Sequence, residues 1–105
     1  SYLTHFICRY NLIVLVEFDS AKSAKNLRER GIGFERLENM DFDTAISVED
    51  RRRNYGEARL RVLGTIDGKL HAAVITPRGE RIRVISLRRA NQREERAYAK
   101  ERQSP

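Results

Sequence analysis

Residues 60–89 read L-R-V-L-G-T-I-D-G-K-L-H-A-A-V-I-T-P-R-G-E-R-I-R-V-I-S-L-R-R, and this run sets the architecture. Leu60, Val62 and Ile66 alternate with Arg61 and Thr65, continuing from Arg59, in the two-residue period of a half-buried strand. Asp67-Gly68 is the pair favoured in a tight antiparallel hairpin, because both positions tolerate positive φ. The chain returns over Leu70 to Thr76. Pro77-Arg78-Gly79 predicts a second turn, and Ile82 to Leu87 predicts a third strand of a meander. Arg81, Arg83 and Arg88 interleave with Ile82, Val84 and Ile85 in that third strand. Alternation therefore projects a row of guanidinium groups from the sheet. Guanidinium is a permanent planar cation whose donors match phosphate oxygens two at a time. A row of them on one rigid element suits a phosphodiester or a strongly acidic partner.

Upstream, Leu12 to Phe18 is rich in strand-forming residues and predicts a first strand. Asp19 has the character of a helix N-cap. Ala21, Ala24, Leu27 and Arg28 recur at helical spacing, and Gly31 suits a left-handed stop, so a helix is expected over 20–30. A second short helix is expected from Phe34, with Phe34, Leu37 and Met40 inward. Ala45–Val48 forms a short strand in this reading, followed by the polar break E-D-R-R-R-N-Y-G-E. Downstream, Asn91 with Glu94 makes a capping-box variant, opening a charged helix over about 92–102, with Ala97 and Tyr98 as its inner residues. The sum is an α+β fold: two N-terminal helices packed on an antiparallel three- to four-stranded sheet, with a C-terminal helix. The helices are expected on one sheet face, leaving the other bare.

Charge is regional. The 105-residue chain carries a formal net charge of +6. Residues 1–50 hold 6 basic and 9 acidic side chains, whereas residues 51–105 hold 15 and 6. The second half is thus strongly basic, which bears on partners rather than on fold. The length allows one domain with a modest core. A single Cys, Cys8, permits no intrachain disulfide and fits a reducing cytoplasm. His5 and His71 stand alone, without metal-ligand spacing, so no metal or other cofactor is expected. The apolar run Leu12–Val16 is too short to span a bilayer. No small-residue cleavage site follows it before Glu17–Asp19, which argues against secretion.

RNA cleavage without a metal would require a base for the ribose 2′-hydroxyl, an acid for the leaving 5′-oxygen, and cations for the phosphorane. The arginine strand supplies the cations. Glu57 is a candidate base, and could equally fix Arg59 in an ion pair. His71, mid-strand beside Ala72 and Ala73, reads better as an ordinary structural histidine. Tyr98 could stack on a base or donate a proton, although a Tyr on an inner helical stripe is more often core. Arg51-Arg52-Arg53 could clamp phosphates or pair with Glu49 and Asp50. Ser86 could bond a phosphate oxygen or simply end the strand.

Three blocks, V-E-F-D-S-A-K-S-A-K-N-L-R-E-R-G-I-G-F-E (16–35), E-D-R-R-R-N-Y-G-E-A-R (49–59) and T-P-R-G-E-R-I-R-V-I-S-L-R-R-A-N-Q-R-E-E-R-A-Y (76–98), resemble the BrnT family of bacterial toxins. The resemblance implies a RelE-like fold over residues 16–105, with 1–15 as an N-terminal extension. It implies ribonuclease activity that inhibits translation, and neutralisation by a BrnA-like ribbon-helix-helix antitoxin, expected as a 2:2 complex that binds operator DNA. The chain departs from the family pattern at Arg30-Gly31, where His commonly precedes the glycine, and at Leu87, where Ala commonly follows the serine. Arg83, Arg88, Glu57 and Lys25 are the catalytic candidates. Arg59, Arg81, Ser86, Arg89, Arg51 and Arg52 are candidates for holding RNA. Two rival readings stand beside this one: a non-catalytic basic module that binds nucleic acid or the ribosome, and a ParE-like toxin directed at DNA gyrase.

Overall fold

A computed structural model describes residues 15–103. The elements are β1 (Leu15–Glu17), α1 (Ser20–Arg30), a 3-10 helix (Phe34–Asn39), β2 (Ile46–Glu49), β3 (Leu60–Ile66), β4 (Lys69–Arg78), β5 (Arg81–Arg89) and α2 (Gln92–Gln103). One five-stranded sheet has the order β1-β5-β4-β3-β2. The meander β3-β4-β5 is antiparallel as expected, and β2 extends it on β3. The sheet is nonetheless mixed, because β1 pairs parallel with β5, Val16 opposite Ile82. The predicted first strand is described only from Leu15, so residue 15 belongs to the sheet, whereas the rest of the expected extension lies outside the described residues.

The turns follow their residues. Asp67 and Gly68 both adopt positive φ (53° and 75°), which closes β3 onto β4 in two residues. The second turn falls at Gly79-Glu80, slightly later than expected, because Pro77 remains in β4 opposite Ile82. Proline is tolerated there because pairing with β3 reaches only to Ile75, opposite Leu60. Past that point the missing N–H removes no bond to β3.

The core lies on one sheet face, where Val62, Ile66, Ala73, Ile75, Ile82, Val84 and Leu87 meet Phe34, Leu37, Met40 and Phe42. The second helix is a 3-10 helix, not an α-helix. Its three-residue turn sets Phe34, Leu37 and Met40 in line, one above another, so all three enter the core. Helix α1 begins at Asp19, whose carboxylate accepts from the N–H groups of Ala21 and Lys22, and ends at Gly31 with φ 77°. Its inner face differs from the predicted Ala21-Ala24-Leu27 stripe. Ser23 is buried and Asn26 half-buried, while Leu27 is 54% exposed. The inward side is polar because it satisfies backbone groups. Ser23 Oγ accepts from Phe34 N–H at 2.9 Å, and Asn26 Nδ2 donates to the carbonyls of Ile32 and Leu87, each at 2.8 Å.

Candidate functional site

On β5 the two key arginines are five residues apart, so strict alternation would put them on opposite faces. A bulge prevents this. Val74 pairs with Ser86 while Ile75 pairs with Val84, leaving Ile85 as an extra residue. The bulge shifts the alternation by one. Ile82, Val84 and Leu87 all enter the core, and Arg81, Arg83, Ser86 and Arg88 all stand on the other face. Three rows cross this second face. Arg59, continuing the β3 register, lies beside Thr76, Arg83 and Glu17. Val48, Arg61, Val74 and Ser86 make the next row, and Ile46, Leu63, Ala72 and Arg88 the third.

The second face is not bare, contrary to the expectation that all helices share one face. Helix α2 lies over one end of it, and loop 50–59 borders the other. Between them runs a groove of about 620 Å³ with an apolar floor that includes Leu63 and Val74 and walls that carry Arg52, Arg61, Arg88 and Arg93. The helix has no buried residue. Ala97 only lines the groove, and Tyr98 attaches through its hydroxyl, which donates to the Thr44 carbonyl at 3.0 Å. Its main tie is polar: Arg88 Nη1 and Nη2 donate to the two Glu94 oxygens at 2.8 and 2.9 Å. Glu94 also completes the expected capping box, accepting from Asn91 N–H while its own N–H donates to Asn91 Oδ1. The Arg88 guanidinium holds the Glu94 carboxyl below its ordinary range, and Glu94 in turn raises the pKa of Arg88.

Loop 50–59 is organised by one carboxylate. The Asp50 side chain is 1% exposed. Arg52 grips it through Nε and Nη2 at 2.9 and 2.8 Å, and its backbone N–H and the Tyr55 hydroxyl add weaker bonds. These bonds, the Arg52 side chain first, hold the Asp50 pKa far below the carboxylate range. Arg52 therefore serves the loop as well as the groove wall. Tyr55 in turn lies 4.1 Å from the Arg59 guanidinium, within cation–π range. Glu57 sits between Arg59 (3.6 Å) and Arg78 (3.4 Å), and Arg78 reaches Glu17 at 3.8 Å. Thus Glu57 does fix Arg59, as one of its two readings held, and it stands in the arginine cluster as well. Arg83, half-buried, forms no ion pair among the described residues.

A folded-state pKa below the unfolded value means that Asp50 stabilises the fold fully above about pH 4 and loses that contribution as the pH falls further. Asp50→Asn should lower the unfolding midpoint at neutral pH. Its deficit relative to wild type should shrink as the pH drops from about 4 toward 2 in urea titrations. A deficit independent of pH would contradict the assignment of this charge.

The other candidates separate clearly. Arg81 shares the face but is exposed at the strand's start. Arg89, exposed, stands opposite His71 in register, on the core side of the bulge and away from Arg83 and Arg88. Arg51 pairs with Glu49 at 2.9 Å, its side chain 81% exposed. Lys25 is exposed, about 200° round α1 from the buried Ser23, and is not brought to the arginines. His71 is buried, its Nδ1 bound to the Lys69 carbonyl at 2.7 Å. Burial lowers its pKa, as suits a structural, neutral imidazole. Arg61, Arg78 and Glu94 were absent from the candidate set. Their signals were present in the parity of Arg61 with Arg59, the parity of Arg78 with Thr76, and the capping box of Glu94.

Fold and face together define a small α+β protein that presents a row of arginines on one face of its sheet. Residues 18–94 match the family described as the ribonuclease toxin, BrnT, of type II toxin-antitoxin system. The match covers most of the chain, which belongs to that family. Comparison with curated proteins gave no match. Among the described residues, no helix is long and apolar enough to cross a membrane, and no group of three His, Cys, Asp or Glu side chains could hold a metal ion.

Proposed function

We propose that the second sheet face is an endoribonuclease site that cuts by attack of the ribose 2′-hydroxyl on the adjacent phosphorus, with no metal. One observation carries this reading: the β5 bulge gathers Arg83, Ser86 and Arg88 on the face that also holds Arg59, Arg61 and Glu57. The 2′-oxygen bonds to phosphorus as the P–O5′ bond breaks, and the leaving 5′-oxygen takes a proton from water, which gives a 2′,3′-cyclic phosphate and a 5′-hydroxyl. Negative charge gathers on the non-bridging oxygens of the phosphorane. Arg83 and Arg88 stabilise it, Arg83 as a donor already held in place by the strand. Glu57 takes the 2′-hydroxyl proton, its carboxylate steered by Arg59 and Arg78. Arg81, Arg61 and Ser86 hold flanking phosphates. The partner is a BrnA-like antitoxin whose acidic surface covers this face in a 2:2 complex, and the site of action is the cytoplasm, where the RNA is.

The test is cleavage of a short RNA by the purified chain. An RNA with all 2′-hydroxyls should be cut in EDTA and yield cyclic phosphate ends, and its all-2′-deoxy counterpart should stay intact. Loss of activity in EDTA, or cleavage of the deoxy strand, overturns the mechanism. Binding without cleavage would leave a basic nucleic-acid module, and inhibition of gyrase without RNA cleavage would leave a ParE-like toxin.

A further inference from the structure

Arg88 is committed before any substrate arrives. Its two Nη groups meet both oxygens of Glu94 in the fork geometry that a phosphate would take. Glu94 lies in the groove beside Ser86 and Arg61, at the point where a phosphodiester crossing the arginine rows would need a fork of donors. We propose that Glu94 is an internal phosphate mimic: it occupies the Arg88 subsite in the resting protein, and an RNA phosphate must displace it to bind. This rests on the reading of the second face as an RNA site.

Three further observations support exchange rather than a permanent structural pair. Helix α2 has no buried residue, so little apolar contact opposes its release. Both partners reach solvent, with side-chain exposures of 39% for Arg88 and 24% for Glu94, so the incoming phosphate has access. Glu94 also belongs to the capping box of α2, its carboxylate accepting from Asn91 N–H while Asn91 Oδ1 caps the Glu94 N–H. Its departure from Arg88 therefore loosens the first turn of the helix and couples phosphate binding to the position of α2. The same geometry argues against Glu94 as a general base. Its oxygens already accept three hydrogen bonds, and its pKa is lowered, chiefly by Arg88.

The experiment compares wild type, Glu94→Gln and Glu95→Gln, which removes the same charge from the same turn at an exposed residue that makes no ion pair among the described residues. Gln at position 94 retains a capping-box side chain, so the variant should fold. Two probes are used: a labelled all-2′-deoxy oligonucleotide and inorganic pyrophosphate. Removing a partly exposed competing pair should tighten binding of both probes by about fivefold at low salt. Glu95→Gln should give a much smaller gain. In wild type, bound oligonucleotide should increase hydrogen exchange over residues 92–95. The inference is overturned if Glu94→Gln gains no more than Glu95→Gln with pyrophosphate, or with the oligonucleotide where the oligonucleotide binds. It is likewise overturned if oligonucleotide binding leaves exchange at 92–95 unchanged or slower. Tighter pyrophosphate binding by Glu94→Gln, with no oligonucleotide binding by any variant, would uphold the masked subsite while overturning the RNA reading.

Discussion

Arg83→Ala should cut the rate of RNA cleavage by about 10²–10³-fold, the usual consequence of removing one preorganised donor from a charged transition state. Its thermal midpoint should stay nearly unchanged. Arg83 is half-buried and makes no salt bridge among the described residues; it is coupled through charge alone to Asp19, which keeps its bonds from the Ala21 and Lys22 N–H groups when Arg83 is truncated. Its backbone sits in the middle of the β5 pairing, opposite Thr76 on one side and Glu17 on the other. That rigid setting supplies the preorganisation. Arg83→Lys should recover part of the loss, since it restores charge without the fork. Arg88→Ala should also lose activity, with an added structural signature. It frees Glu94 and should increase hydrogen exchange in α2. Full cleavage activity in a folded Arg83→Ala protein would remove Arg83 from the site.

The meander was legible because its signals are local. Alternation over 60–66, the Asp67-Gly68 turn and the capping pair Asn91/Glu94 each need only a few neighbouring residues. What lay outside the reach of the sequence depended on partners distant along the chain. The parallel pairing of β1 with β5 joins segments about 65 residues apart, and nothing in Leu15–Glu17 names its neighbour. The polar inner face of α1 answers carbonyls at Ile32 and Leu87, whose need appears only once the chain is folded. The arginine face was anticipated by assuming simple alternation, which fails between positions 83 and 88. The expectation held because Ile85 forms a bulge, a feature with no clear mark in V-I-S-L. Arg88 was expected as a catalytic cation. Glu94 was expected as a cap, and that it does both jobs at once follows only from the placement of α2 over the sheet. Lys25 came from the family resemblance, and the helix turns it away.

Leu37→Ala should be the most damaging single change to the fold. Leu37 is 0% exposed and lies at the centre of the 3-10 helix, between Phe34 and Met40. Those three side chains form most of the lid over the core face, while α1 contributes mainly hydrogen bonds. Little apolar material is therefore available to collapse into the space vacated. A buried Leu→Ala change of this kind costs about 3–5 kcal/mol, against a total of roughly 5–15 kcal/mol for a domain of this size. The thermal midpoint should fall by about 15–30 °C. The arginines stand on the opposite face of the sheet, so the surviving folded fraction should cleave RNA at close to the wild-type rate when assayed well below its midpoint. That separation distinguishes the two faces by function: Arg83→Ala loses rate and keeps stability, whereas Leu37→Ala loses stability and keeps rate. A Leu37→Ala protein with an unchanged midpoint would mean that the 3-10 helix does not close the core. One that stayed folded yet inactive would mean that the core face, not the arginine face, governs the chemistry.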